Sequence, residues 1–285
     1  VSGTLGRSEF DFLRALVRER SAIVLEPGKE YLVESRVVPL LRDRQLGSVA
    51  ALVGALRQDP HGDLAREVVE AMTTNETSFF RDLHPFEALR TVLLPTLLIQ
   101  RATDRKLRIW SNACSSGQEA YSLAMLLYEH VPAVRDWNVS ILATDLSRRM
   151  VHRTGQGRYG QLEVNRGLPA QMLLKYFDRR GTEWEVKPQL RRWVQARELN
   201  LIGPWPPLPR FDLIMLRNVL IYFDREARRT ILRRARQALR PDGYLFLGSA
   251  ETTTMADEGW ERMPCGASVA YRLLPSPRTL TGVAL

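Results

Sequence analysis

The strongest chemical signal in this 285-residue chain lies between residues 107 and 127. An apolar run from Leu107 to Trp110 passes into the small residues Ala113, Cys114, Ser115, Ser116 and Gly117, and apolar periodicity then resumes to Leu127. Strand, tight small-residue loop and helix form the arrangement by which open α/β sheets bring backbone and free helix N–H groups against a ligand. A second strand is expected over 139–145. It ends in Asp145, roughly 28 residues past Gly117, where a carboxylate can accept hydrogen bonds from both hydroxyls of a ribose. The chemistry indicated is binding of a nucleoside-containing cofactor.

The loop narrows the choice of cofactor. A dinucleotide site uses G-x-G-x-x-G, and a P-loop uses G-x-x-x-x-G-K-S/T with its phosphate-binding lysine. This loop has a single glycine, no lysine, and Glu119 in the first turn of the following helix. A carboxylate there repels phosphate and suits an ammonium-bearing ligand such as the methionine end of S-adenosyl-L-methionine. The alternative is that Glu119 only complements the helix dipole.

Composition bounds the class. The chain is 45% hydrophobic and long enough for a sizeable core in two parts. No apolar run approaches the roughly 20 residues that span a bilayer, and the first residues do not read as a signal peptide, so a cytoplasmic protein without membrane insertion is expected. Two cysteines, Cys114 and Cys265, and four histidines lack metal-ligand spacing, so no metal site is expected. Formal charge is +9, and it is uneven. Residues 1–85 carry 11 Arg/Lys against 13 Asp/Glu, whereas 148–240 carry 21 against 8. Such a basic half attracts acidic protein, anionic membrane or nucleic acid, or is simply a solvated arginine-rich surface.

The elements that position these residues begin with helices alone. Ser8-x-x-Asp11 reads as a capping box before the face Phe10, Leu13, Leu16 and Val17. A second helix through Val37 and Val38 is expected to kink or end near Pro39. Ser48 and Asp63 open a third and a fourth. The stretch 72–82, Met-Thr-Thr-Asn-Glu-Thr-Ser-Phe-Phe-Arg-Asp, follows. On its own it reads as another N-cap with Phe79 and Phe80 packed in the core. Downstream, 211–216 reads as a buried strand with Arg217-Asn218 at its C-terminal end, where α/β folds place active-site groups.

Taken in order, Thr73 to Asp82, the Cys114 loop, Asp145, Asn200-Leu201 and Arg217 to Asp224 resemble the CheR family of chemotaxis receptor glutamate methyltransferases over nearly the whole chain. Leu239-Arg-Pro-Asp-Gly243 and Leu247-Gly-Ser-Ala-Glu251 add to the resemblance, whereas Gln118 and Ala120 depart from the family's usual glutamate and proline. The resemblance implies an α/β fold: a doubly wound, Rossmann-like S-adenosylmethionine-dependent methyltransferase domain over 104–275. It would carry a small antiparallel β-subdomain at about 176–196, preceded by an all-α domain over 1–72 and a linker with connecting helix over 73–103. A tail, 276–285, would follow.

In the family, residues matching Asn75, Thr77, Arg81, Glu119, Asp145, Asn200, Leu201, Arg217 and Asn218 line the S-adenosylmethionine site, and those matching Arg81 and Tyr222 lie close to the transferable methyl. The implied reaction is esterification of receptor glutamates, acting at the inner membrane face on the cytoplasmic domains of transmembrane chemoreceptors. The protein would act as a monomer without a stable nucleic-acid complex. A glutamate with a reference pKa of about 4.3 is already ionised and needs no general base, so catalysis rests on positioning. Arg81 would orient the carboxylate through its planar fork and Tyr222 through a hydrogen bond. Alternatively, Arg81 meets only the cofactor and Tyr222 only packs. A nucleic-acid methyltransferase is a further alternative, but Arg217-Asn-Val-Leu stands where an Asn/Asp-Pro-Pro-Tyr/Phe signature belongs. A non-catalytic S-adenosylmethionine-binding regulator is the remaining one.

Overall fold

The computed structural model describes residues 5–253 and 258–274, so the expected tail at 276–285 lies outside the described residues. Four helices come first: α1 (Arg7–Ser21), α2 (Glu30–Asp43), α3 (Val49–Gln58) and α4 (Asp63–Ala71). Their apolar stripes, among them Phe10, Leu13 and Val17 of α1 and Val33, Val37 and Leu41 of α2, close one core. Two local expectations are corrected. Ser8 is inside α1, whose N-cap is Gly6 with no side-chain cap. Helix α2 runs through Pro39 to Asp43, because its buried stripe continues to Leu41 and offsets the missing N–H. The N-cap at Ser48 holds, its Oγ accepting from Ala51 N at 3.1 Å.

After an irregular segment, α5 (His84–Ala88) passes through a π-helical turn into α6 (Leu94–Arg101). The α/β domain then runs β1 (Lys106–Asn112), α7 (Gln118–His130), β2 (Asn138–Asp145) and α8 (Arg148–Gln156). An insertion follows with β3 (Arg158–Gly160), α9 (Gln161–Val164), α10 (Ala170–Tyr176), β4 (Phe177–Arg180), β5 (Glu183–Val186) and α11 (Pro188–Arg191). The chain closes with β6 (Val194–Glu198), β7 (Phe211–Leu216), α12 (Arg225–Ala238), β8 (Leu239–Leu247), β9 (Trp260–Cys265) and β10 (Ser268–Leu273).

The main sheet has the order β6-β2-β1-β7-β8-β10-β9. Its first five strands are parallel and β10 and β9 are antiparallel to their neighbours. The chain leaves β1 toward β2 and β6 and returns to β7 on β1's other side, so a topological switch point lies between β1 and β7, where open α/β sheets bind ligands. The small antiparallel sheet has the order β3-β5-β4, so it draws in Arg158–Gly160 and does not extend to Ala196. Leu190 is helical, and Val194 opens β6, which pairs with β2 in the main sheet.

The helical domain is tied directly to the C-terminal edge of the parallel strands. Ile23 bridges Phe223, Val24 N donates to Tyr222 O at 3.0 Å, Arg18 reaches Asp224 at 2.9 Å, and Ser147 Oγ donates to Glu70 at 2.9 Å. It therefore forms a wall over the switch point.

Candidate active site

The loop after β1 turns tightly. Ala113, Ser115 and Gly117 all have positive φ, and a Cβ at Gly117 would lie 2.8 Å from the Thr154 methyl and 3.1 Å from the Tyr159 hydroxyl. Cys114 N donates to Thr144 O at 2.9 Å, Thr154 Oγ1 to Ser115 O at 3.0 Å, and Tyr159 OH to Ser116 O at 2.8 Å. These bonds hold the loop rigid ahead of α7. The Cys114 thiol is buried and its pKa is pushed up, chiefly by desolvation, so it stays an inert packing group.

Asp145 ends β2 and is 6% exposed. Its Oδ2 accepts from Ser115 N at 2.8 Å and its Oδ1 from Ser147 N at 2.9 Å. Burial raises its pKa, and these two N–H groups counter the rise. A carboxylate has about four acceptor positions, so lone pairs remain for a ribose after the loop is clamped.

An ion cluster crosses the switch point. The Arg217 side chain, 1% exposed, follows β7, and its Nη1 donates to Glu119 Oε2 at 3.0 Å. Its Nη2 donates to Asp82 Oδ2 and to Arg81 O, each at 2.8 Å, and its guanidinium lies 5.7 Å from the Phe86 ring centroid. Ser111 Oγ donates to Glu119 Oε1 at 2.7 Å. Glu119 therefore does more than complement a helix dipole.

The connector 73–83 is not a helix; α5 begins only at His84. Phe79 is fully buried against Tyr159 and Phe177, while Phe80 N donates to Ser122 Oγ at 2.9 Å. Phe80, Asp82 and Leu83 all have positive φ, a concentration of backbone strain of the kind found at functional segments. Ser115 Oγ donates to Asn75 O at 2.8 Å, and Arg81 Nη1 to Glu76 O at 2.8 Å.

All ten residues singled out from the sequence line one cavity: Asn75, Thr77, Arg81, Glu119, Asp145, Asn200, Leu201, Arg217, Asn218 and Tyr222. Ser21, Ile23 and Met72 of the helical domain also line it. Asn200 also has structural bonds: Nδ2 donates to Arg20 O at 2.7 Å and Oδ1 accepts from Ile202 N at 3.1 Å. Its amide ties the end of α1 to the cavity wall.

Two buried polar atoms in residues lining this cavity have no partner, the acceptor Asn112 Oδ1 and the donor Arg217 Nε. Buried groups of this kind ordinarily find one. A ligand bearing both an ammonium and a carboxylate offers the missing donor and acceptor, and lone pairs of Glu119 add charge for the ammonium. The residues present thus fit the methionine end of S-adenosylmethionine, and Asp145 fits its ribose.

Sequence reasoning missed two contributors. Arg36 holds the connector: its Nη1 donates to Met72 O at 2.6 Å and Thr73 O at 3.1 Å, and its Nη2 to Thr74 Oγ1 at 3.1 Å. Glu251 gathers backbone N–H groups of the loop after β7. Its signal was the Gly-Ser-Ala-Glu run after β8.

Comparison with known proteins follows the same division of the chain. Residues 8–73 match the family model of the CheR methyltransferase all-alpha domain, and residues 75–268 that of the CheR methyltransferase SAM binding domain. The chain is 41% identical over 269 residues to chemotaxis protein methyltransferase 1 of Pseudomonas aeruginosa, covering 93% of this chain and 97% of that protein. It is 38% identical over 271 residues to chemotaxis protein methyltransferase Cher2 of Pseudomonas putida, covering 94% and 98%. Chemotaxis protein methyltransferase 1 of Vibrio cholerae is 38% identical over 275 residues, covering 95% and 98%.

Proposed function

The chain belongs to the CheR family of S-adenosylmethionine-binding chemotaxis methyltransferases, and on that premise we propose that it esterifies glutamate side chains on the cytoplasmic domains of chemoreceptors. The observation that carries the reading is the convergence of Arg81, Tyr222 and the cofactor-lining residues on one cavity roofed by the helical domain.

S-adenosylmethionine, when bound, supplies an electrophilic methyl on a sulfonium. The chain's own residues hold and orient. Glu119, Asn112 and Arg217 hold the amino-acid end and Asp145 the ribose. Arg81, half-buried and spending one Nη on Glu76 O, keeps further donors for the incoming carboxylate, and its fork sets that group's plane. Tyr222, fixed through its backbone to Val24, offers a hydroxyl to the same carboxylate. No side chain has to remove a proton, since a glutamate is ionised near neutral pH. Holding the reactants in line and excluding water supply the acceleration.

The site would be worked at receptor arrays on the inner face of the membrane; no helix among the described residues is long and apolar enough to cross it. The test is transfer of labelled methyl to a receptor cytoplasmic fragment, with release of the label by mild base as expected of an ester.

A further inference from the structure

We propose that Glu251 is a positioning residue for methyl transfer, its carboxylate setting the conformation of the loop that presents Tyr222. The inference rests on the function proposed above. Glu251 is not part of the cavity wall; it acts from behind. Its Oε2 accepts from Asn218 N at 2.8 Å and Gly248 N at 2.6 Å, and its Oε1 from Val219 N at 2.8 Å and Ile221 N at 3.2 Å. Four N–H groups on two separate segments thus converge on one anion, a charge-assisted arrangement.

The surroundings are shaped for this contact. Asn218 has φ +57, a left-handed conformation that a non-glycine residue holds only when its neighbours impose it. Gly248 leaves the necessary space: a Cβ there would lie 2.8 Å from both Asn218 N and Asn218 Nδ2, and 2.7 Å from Glu251 Oε2. Glu251 N donates to Gly248 O at 2.9 Å, closing the turn that sends the carboxylate back onto the loop. The far end of the loop is held by the helical domain through Val24 N and Tyr222 O. Arg217 is anchored independently by Glu119 and Asp82. Loosening Glu251 therefore frees Asn218 to Tyr222 while leaving the buried arginine in place.

Glu251→Gln keeps the shape but turns an NH2 toward two of the four N–H groups. We expect the amides of 218, 219 and 221 to exchange with solvent about tenfold faster or more, with β1 and β2 unchanged. The kcat for receptor methylation should fall about tenfold or more while S-adenosylhomocysteine affinity stays within about threefold. Combined with Tyr222→Phe, the rate should fall no more than about twofold below the worse single variant, because both act through one hydroxyl. Gly248→Ala, which forces the same contact apart, should reproduce the exchange and rate effects, and it carries the test should Glu251→Gln fail to fold. Unchanged amide exchange, or losses that multiply with Tyr222→Phe, would overturn the proposal. Amide exchange needs no receptor, so inactivity of the wild type toward every receptor counts against the substrate reading and leaves Glu251 separately judged.

Discussion

Arg217 and Glu119 meet at 3.0 Å between the end of β7 and the first turn of α7, joining the two halves of the sheet across its switch point. Breaking a buried pair from one side leaves an uncompensated charge and costs about 3–5 kcal/mol. Asp82, 40% exposed, still faces Arg217, so Glu119→Gln should cost less, about 1–3 kcal/mol of stability. It should also weaken S-adenosylhomocysteine binding by about tenfold or more. Chemical denaturation and calorimetry on the same samples check both losses, and unchanged affinity would remove Glu119 from the ligand's ammonium.

Asp145→Ala should lower cofactor affinity by about 1–3 kcal/mol, because a bound ribose loses its acceptor and the Ser115 and Ser147 N–H groups lose theirs. Calorimetry with S-adenosylhomocysteine measures it. An affinity equal to wild type rules out the ribose role.

Tyr222→Phe should slow methyl transfer by about tenfold while cofactor affinity stays within about twofold, since its hydroxyl addresses the substrate carboxylate. Equal losses in both would move Tyr222 into the cofactor site or the fold.

Arg101, 4% exposed, binds Asp212 and donates to Asp242 at 2.6 and 2.7 Å beneath the sheet. Its hydrogen bonds hold the Asp242 carboxyl below the ordinary value of 3.8. A depressed carboxylate adds stability above its unfolded pKa and loses it as pH falls through the lower folded one. Thermal unfolding between roughly pH 4.5 and pH 2.5 should therefore show a steeper decline in wild type than in Asp242→Asn. Parallel curves would mean the pair contributes nothing in acid.

On the proposed receptor substrate, methylation should weaken as salt is raised, because exposed arginines would steer a carboxylate-bearing surface and are screened over about 10 Å at 0.1 M. The contributors are fewer than the charge count suggests. Arg36 is spent on the connector, Arg44 on Glu67, Arg148 on Glu198 and Arg153 on Glu163. Exposed Arg42 of the helical domain and exposed Arg149 after β2 give one reversal in each region. Initial rates at two ionic strengths that do not change on reversal would remove both from docking.

Local chemistry was the legible part. Gly117, Asp145 and the all-apolar strand 211–216 announce themselves within a few residues, because loop curvature, strand burial and a terminal carboxylate are short-range properties. The expected 176–196 subdomain overruns into β6 because this edge strand, largely exposed, carries the same sparse apolar pattern as a subdomain strand. Asn200 and Glu251 were less legible in role, since their partners, Arg20 and the amides of 218–221, lie 180 and about 30 residues away.

The most direct measurement is incubation of the protein with methyl-labelled S-adenosylmethionine and a chemoreceptor cytoplasmic fragment, followed by mild alkali and peptide mapping. The expected result is label on glutamate side chains, released by base as methanol, and reduced at least about fivefold when Asp145→Ala enzyme is used at limiting cofactor. Base-stable label, or no transfer to any receptor fragment by protein that binds S-adenosylhomocysteine normally, would contradict glutamate esterification.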